Sequence, residues 1–170
     1  MVYLFILIYL IILRVFELLI AKSNENYQKA KGAIEIEDPY YKHIIITHVL
    51  FFVFLIIESF LNHSWNRDAS IIVFSLFILL QTFRFWSLWS LGRYWNTKVI
   101  VLPDAKVVDR GPYKWIKHPN YWIVGLELLV ISLLFYAYIT AIIFVSAHLW
   151  LMTKRIPLEN RALKQYFINK

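Results

Sequence analysis

Four stretches of this chain are too long and too apolar for an ordinary soluble core. Residues 2–21, 43–61 and 69–91 each approach the roughly 20 apolar residues that a helix needs to cross a hydrocarbon layer. The fourth, 121–152, is harder to place. Glu127 is its only carboxylate, and it holds no Lys or Arg. As one helix it would run about 48 Å at roughly 1.5 Å per residue, which overshoots a bilayer. It therefore predicts two helices folded into a tight hairpin that turns near Tyr136-Ala137-Tyr138. Gly92 is placed to cap the third span. The N-terminus has no basic start and no small-residue cleavage site, so 2–21 reads as a first span and not as a removed signal peptide. Altogether the pattern predicts an all-α integral membrane fold, one domain over 1–170, with about five transmembrane helices. The chain is 60% hydrophobic, against about 45–50% for soluble domains.

The segments between the spans set the expected orientation. Lys22, Lys29, Lys31 and Lys42 fall in 22–42. Arg93, Lys98, Lys106, Arg110, Lys114 and Lys117 fall in 92–118, and five more basic residues fall in the tail 153–170. The opposite side holds Arg67 alone. The positive-inside rule then predicts a multi-pass cell-membrane protein with its N-terminus outside, and with both long loops and the C-terminus in the cytoplasm. The same placement accounts for the net charge of +7 without a nucleic-acid partner. With no cysteine, disulfides and thiolate metal sites are excluded, and no metal site is expected.

Ionisable residues within a membrane are costly, and they are usually paired or functional. Arg14 and Glu17 lie three apart, on one face of the first span. Arg84 lies about two turns before the cytoplasmic end of the third span, and Glu127 about two turns into the fourth. Their shared depth predicts a polar cavity open to the cytoplasm, although each alone also reads as a snorkelling side chain. Glu58, near the outer end of the second span, stands apart. His48 and His148 also fall within spans.

None of the four glycines, Gly32, Gly92, Gly111 and Gly125, belongs to a GxGxxG loop after a strand. A Rossmann-type nucleotide site is thereby excluded. The chemistry-bearing residues gather instead in two places. Arg110-Gly111-Pro112-Tyr113 is a turn signal, and Lys117-His118-Pro119-Asn120-Tyr121 leads into a helix at whose start proline is well tolerated. The polar groups of His118, Asn120 and Tyr121 stand at the interface among the aromatic faces of Tyr113, Trp115 and Trp122, which suit adenine stacking or a sulfonium cation. The same residues read equally as an interfacial aromatic belt with a basic rim. In the tail, Arg155 and Glu159 are four apart and share a helical face. This spacing fits an anion-binding Arg beside a hydrogen-bond-accepting Glu, and equally an ordinary ion pair.

These two clusters carry a resemblance. The stretch Gly111-Pro112-Tyr113-Lys114-Trp115-Ile116-Lys117-His118-Pro119-Asn120-Tyr121 resembles the GPY-x-x-x-[RK]-HP-x-Y signature of the isoprenylcysteine carboxyl methyltransferase family. The tail, Arg155 through Glu159 and Asn160 to Leu163, is similar to that family's R-x-x-x-E-E-x-x-L. Lys117 stands where Arg is commoner, and Asn160 where a second acid is usual. The likeness covers about 92–166, and the N-terminal half resembles small bacterial members more loosely. It implies an enzyme that uses S-adenosylmethionine, enclosed by Tyr113, His118, Pro119, Asn120, Tyr121 and Glu159 and by the backbone of Ala105, Lys106, Val107 and Val108. It further implies that Arg155 binds the substrate oxygen and that Arg155 and Glu159 form the catalytic pair.

Methyl transfer from a sulfonium is an in-line displacement in which alignment and desolvation supply most of the acceleration. The expected acceptor is lipophilic. An alkylpyrone- or alkylresorcinol-type hydroxyl leads, and an isoprenylcysteine-like carboxylate is the second form. A phospholipid N-methyltransferase and a non-enzymatic membrane protein, with His48 and His148 as haem ligands, are the alternatives. No residue is assigned as a dedicated general base, since His118 is better placed to pack on the cofactor.

Overall fold

In a computed structural model, described over residues 2–103, 105 and 108–167, the chain forms five helices and one very short antiparallel ladder. Helix α1 runs Val2–Ala30, α2 Tyr41–Leu61, α3 Ile71–Leu91, α4 Pro119–Leu134 and α5 Tyr138–Phe167. Four of them are long and apolar enough to cross a membrane, and α4 is a shorter apolar helix. The protein is an all-α multi-pass membrane protein.

Each helix buries a stripe and presents the rest of its apolar surface outward. On α1 the buried stripe is Tyr3, Ile6, Leu7, Leu10 and Leu13, spaced three and four apart as a single helical face requires. That face meets Phe51 and Leu55 of α2, Phe77 of α3 and Ile131 of α4 in the main core. Meanwhile Phe5, Ile12, Phe16 and Leu19 of the same helix stay exposed. Such exposure in a helix is expected where the surrounding solvent is lipid.

The hairpin turns where its sequence predicts. Chain reversal between α4 and α5 occupies Phe135, Tyr136 and Ala137, with Tyr136 at φ +56°. The Ala137 N–H donates to the Ser132 carbonyl at 2.8 Å. Glu58 explains itself here. Its carboxylate accepts the backbone N–H of Ile139 at 2.9 Å and of Thr140 at 2.7 Å, so a residue of α2 caps the first turn of α5 and opposes its positive end.

Two expected lengths change. The first span extends to Ala30, nine residues past the predicted end, because Asn24 and Gln28 donate to the Gly92, Trp95 and Arg93 carbonyls of the next loop and hold the extra turns in place. The last two helices are not both short. α4 has 16 residues while α5 has 30, running straight through the tail and past Pro157. At about 1.5 Å per residue α5 is roughly 45 Å long, so it carries Arg155 and Glu159 out of the apolar layer on one continuous rod.

The ends of α1 and α5 meet the loop 92–118 at what we call the basic end of the bundle. There β1 (Ile34–Glu35) pairs antiparallel with β2 (Ile100–Val101), Ile34 opposite Val101 and Glu35 opposite Ile100. Val99 and Val101 pack on Ala162 of α5 in a small second core. Glu25 binds Lys29 and Lys98, and Lys98 also reaches Glu35. Two loops distant in sequence are thereby fastened over the helix ends.

Candidate functional site

The Gly-Pro-Tyr turn sits where only glycine fits. Gly111 has φ +60°, and a β-carbon there would fall 1.9 Å from Ser90 Oγ. Arg110 fixes the approach by donating from Nε to the Ser90 carbonyl at 2.7 Å. The short 3-10 turn Gly111–Lys114 then lays Tyr113 against α3, where its hydroxyl meets Ser87 Oγ at 3.0 Å. Burial pushes the Tyr113 hydroxyl up to about 12, so it stays protonated. Pro119, fully buried, starts α4.

From this start, His118 and Tyr121 stack their rings at 5.6 Å, one helical turn apart. The Tyr121 hydroxyl donates to Glu159 Oε2 at 2.6 Å and accepts from Arg155 Nε at 3.0 Å. His118 places Nδ1 3.5 Å from Glu159 Oε2 and Nε2 3.1 Å from Asn160 Oδ1. The Glu159 carboxylate raises the His118 imidazole above its usual range, against the opposing effect of partial burial. Asn160, where a second acid was expected, therefore serves as a neutral partner to the same histidine. The two sequence clusters, separated by a whole hairpin, form one hydrogen-bonded group.

Arg155 is buried, and each of its nitrogens is engaged. Nε serves Tyr121, one terminal nitrogen pairs with Asp38 at 2.6 Å, and the other donates to the Thr97 carbonyl. Its guanidinium lies 5.9 Å from the Tyr41 ring centre, and the Tyr41 hydroxyl meets Thr97 Oγ1 at 3.1 Å. No sequence pattern singles out Asp38. Its only signal is the Asp38-Pro39 turn before the second span, a pattern common to many loops.

Deeper in the bundle the four intramembrane charges come together. Glu17 takes both Arg84 Nε and Arg84 Nη2, the latter at 2.6 Å, while Glu127 takes Arg84 Nη1. Arg14 bridges both acids at 3.0 Å. Gln81 donates to the second oxygen of Glu127 at 2.8 Å. Two positive and two negative charges are thus matched within one network that ties α1, α3 and α4 together.

A cavity of about 580 Å³ joins the two levels, within the ~300–1,000 Å³ of pockets that hold cofactors and drug-sized ligands. Of the sequence-predicted residues, Ala105, Val108, Tyr113, His118, Asn120, Tyr121, Arg155 and Glu159 line it. Pro119 lies behind the wall, and Lys106 and Val107 fall outside the described residues. Arg14, Glu17 and Arg84 line its deeper part, with Glu127 behind them. Its flank includes Ile11, Val15 and Leu18 of α1 and Ile45 and Val49 of α2, side chains that are also exposed on the outside of the bundle. The cavity therefore reaches from the polar loops to the lipid-facing surface between α1 and α2. Three of its lining groups, Asn120 Oδ1, Trp95 Nε1 and Arg14 Nε, are buried with no hydrogen-bond partner among the described residues. An orphaned acceptor and two orphaned donors around one cavity fit a polar ligand better than an apolar filling.

The chain is similar to two bacterial proteins along most of its length. A Bacillus subtilis (strain 168) protein named Uncharacterized protein YpbQ is 42% identical over 159 residues, covering 94% of this chain and 95% of its own. A Haemophilus influenzae protein, named only Uncharacterized protein, is 28% identical over 156 residues and 91% of each chain. No solved structure matches. The sequence profile of the isoprenylcysteine carboxyl methyltransferase (ICMT) family matches residues 71–165, which span both motif clusters and the hairpin between them. The chain belongs to the isoprenylcysteine carboxyl methyltransferase family, whose members are membrane methyltransferases.

Proposed function

We propose that this chain is an integral membrane, S-adenosylmethionine-dependent O-methyltransferase acting on a lipophilic acceptor. The acceptor class is an alkylpyrone- or alkylresorcinol-type hydroxyl or an isoprenylcysteine-like carboxylate. The observation that carries this reading is the cavity itself, which places the family-matching His118, Tyr121 and Glu159 in one space with the lipid-facing side chains Ile11 and Val49. A water-soluble cofactor enters from the basic end, and an aliphatic tail lies between α1 and α2. With the basic loops held in the cytoplasm, the N-terminus is outside.

The residues present fit the cofactor. Asn120 Oδ1 and Trp95 Nε1 supply an unpaired acceptor and donor, His118 and Tyr121 an aromatic face, and Glu159 a carboxylate. When bound, S-adenosylmethionine supplies a sulfonium methyl to a nucleophilic oxygen. The protein's task is then to align and to exclude water. Arg155 does this by holding Tyr121 and the 97 loop in register, with Asp38 balancing its charge.

The test is calorimetric titration of the detergent-purified protein with S-adenosylmethionine. Saturable binding is expected, weakened at least tenfold by His118→Ala and by Glu159→Ala. Absence of binding to folded wild-type protein would remove the reading.

A further inference from the structure

Nothing in the site above accounts for the proton of a hydroxyl acceptor. Four cations line the cavity, and three of them already have counter-charges. Arg14 and Arg84 are matched by Glu17 and Glu127, and Arg155 by Asp38. The fourth, Lys117, is exposed at the rim. An acceptor arriving as an anion meets no uncompensated buried cation of the protein's own, so its desolvation is repaid only by the cofactor's sulfonium. A neutral hydroxyl enters without that cost but is a poor nucleophile until its proton leaves.

His48 is built to take it. Its Nδ1 lies 2.8 Å from the Ile44 carbonyl. A carbonyl only accepts, so Nδ1 carries the hydrogen and the neutral ring presents a bare Nε2. No hydrogen bond to Nε2 occurs among the described residues, and the side chain lines the cavity. His148 also lines it but is committed differently. Its Nε2 donates to the Tyr121 carbonyl at 2.9 Å, and the ring is packed so closely on Gly125 that an added β-carbon would lie 3.1 Å from it.

The helix register puts His48 about two turns below the Arg155 level, in the part of the cavity nearer the lipid-facing flank. Phe51 of α2 touches Phe144 of α5, with ring centres 5.7 Å apart, and Tyr41 of α2 lies under Arg155 of α5. Both pairs describe one antiparallel register, in which His48 stands level with His148. His148 holds the backbone of Tyr121, and the Tyr121 hydroxyl holds Glu159. One residue, Tyr121, thus connects the His48 level to the motif level. The charged and titratable groups facing His48 are Arg14 from α1, Arg84 from α3 and His148 from α5.

We propose that His48 is the general base of the reaction and that the acceptor is a neutral, weakly acidic hydroxyl on an apolar tail. This rests on the reading of the cavity as a methyl-transfer site. In the step, the hydroxyl proton first passes to His48 Nε2, and the oxygen then attacks the sulfonium methyl. The O–C bond forms, and the C–S bond breaks with its electron pair kept by sulfur. The products are the methyl ether, S-adenosylhomocysteine and an imidazolium that returns its proton to water through the cavity.

The test uses the full-length protein in detergent, with His48→Gln and His48→Ala. One readout needs no turnover. A 2-alkyl-4-nitrophenol, titrated below its own pKa, is expected to bind wild-type protein as the coloured nitrophenolate and both variants as the uncoloured phenol. Binding of S-adenosylmethionine by calorimetry is expected to stay within about twofold of wild type, showing that the variants are folded. Methylation of the same phenol is expected to fall about 10²- to 10⁴-fold, the usual range for a general base, with the loss shrinking as pH rises toward ionisation of the free phenol. Equal nitrophenolate absorbance in wild type and folded His48→Gln, or equal methylation rates, would overturn the role of His48 and leave the methyltransferase reading standing. Failure of wild-type protein to bind S-adenosylmethionine would remove both.

Discussion

Arg155 and Asp38, 117 positions apart in the chain, form a 2.6 Å ion pair in which both side chains are almost fully buried. Through it the approach to α2 is tied to α5, and through the other nitrogens of Arg155 so are Thr97 and Tyr121. Removing one member of a buried pair leaves the other charge uncompensated, at about 3–5 kcal/mol. Asp38→Ala is therefore expected to lower unfolding stability in detergent by about that much, and to weaken S-adenosylmethionine binding because Tyr121 loses its orientation. Asp38→Leu combined with Arg155→Met should regain stability but not binding. Unchanged binding in Asp38→Ala would show that Arg155 does not act through Tyr121.

The glycine of the Gly-Pro-Tyr turn has two separable requirements, and both can be measured. Gly111→Ala meets a positive φ and also a clash with Ser90 Oγ. The first costs roughly 1–2 kcal/mol and the second about 1–3 kcal/mol. Ser90→Gly in the same chain removes the clash and leaves the backbone cost. The double variant should therefore melt between Gly111→Ala and wild type. A double variant no more stable than Gly111→Ala would mean that the turn tolerates no residue but glycine.

The same two residue sets show why some of the site was legible in the sequence and some was not. The Gly111-to-Tyr121 run and the Arg155-to-Glu159 pair are local patterns, and the hairpin between them has a length that demands one turn, so membrane thickness put both at one end of the bundle, while their joining in one site was implied by the family resemblance. Arg14, Glu17, Arg84 and Glu127 were legible as a group because charges at one depth in lipid must find each other. Asp38 was not, since nothing local distinguishes it from any acidic residue before a proline. The 2-residue strands were equally hidden, as their pairing depends on where α1 and α3 end in space. The helical face shared by Arg155 and Glu159 was legible, but not that the last span and the tail form one continuous helix. Pro157 reads locally as a breaker, yet α5 continues through it, with the small core of Val99, Val101 and Ala162 packed along the extension.

The intramembrane network predicts a strongly non-additive response. Arg84 and Arg14 together hold Glu17 and Glu127, so Arg84→Leu leaves two buried acids with only Arg14 between them. A loss of about 3–5 kcal/mol is expected in denaturation from detergent micelles. Adding Glu127→Gln removes one stranded charge and leaves Arg14 paired with Glu17, and should restore more than half of it. Strict additivity of the two substitutions would mean that the groups are not coupled as their distances require.

His118 and Glu159 supply the pH dependence of the basic end. The Glu159 carboxylate beside the ring lifts the His118 pKa above its ordinary 6.5. A raised folded-state value means that the folded protein binds this proton more tightly than the unfolded chain does. The pair's contribution is then fully present below about pH 6.5, and it fades as pH rises through the folded value. The stability difference between wild type and His118→Ala should accordingly be larger near about pH 6 than near about pH 9. It should not vanish at the higher pH, because the His118–Tyr121 stacking is independent of charge. In Glu159→Gln the histidine loses its anion, and its titration, followed by the imidazole resonances of labelled protein, should move down toward 6.5. A titration that stays in place in Glu159→Gln would show that Glu159 does not act on His118, and that the two motif clusters are electrostatically independent despite their contact.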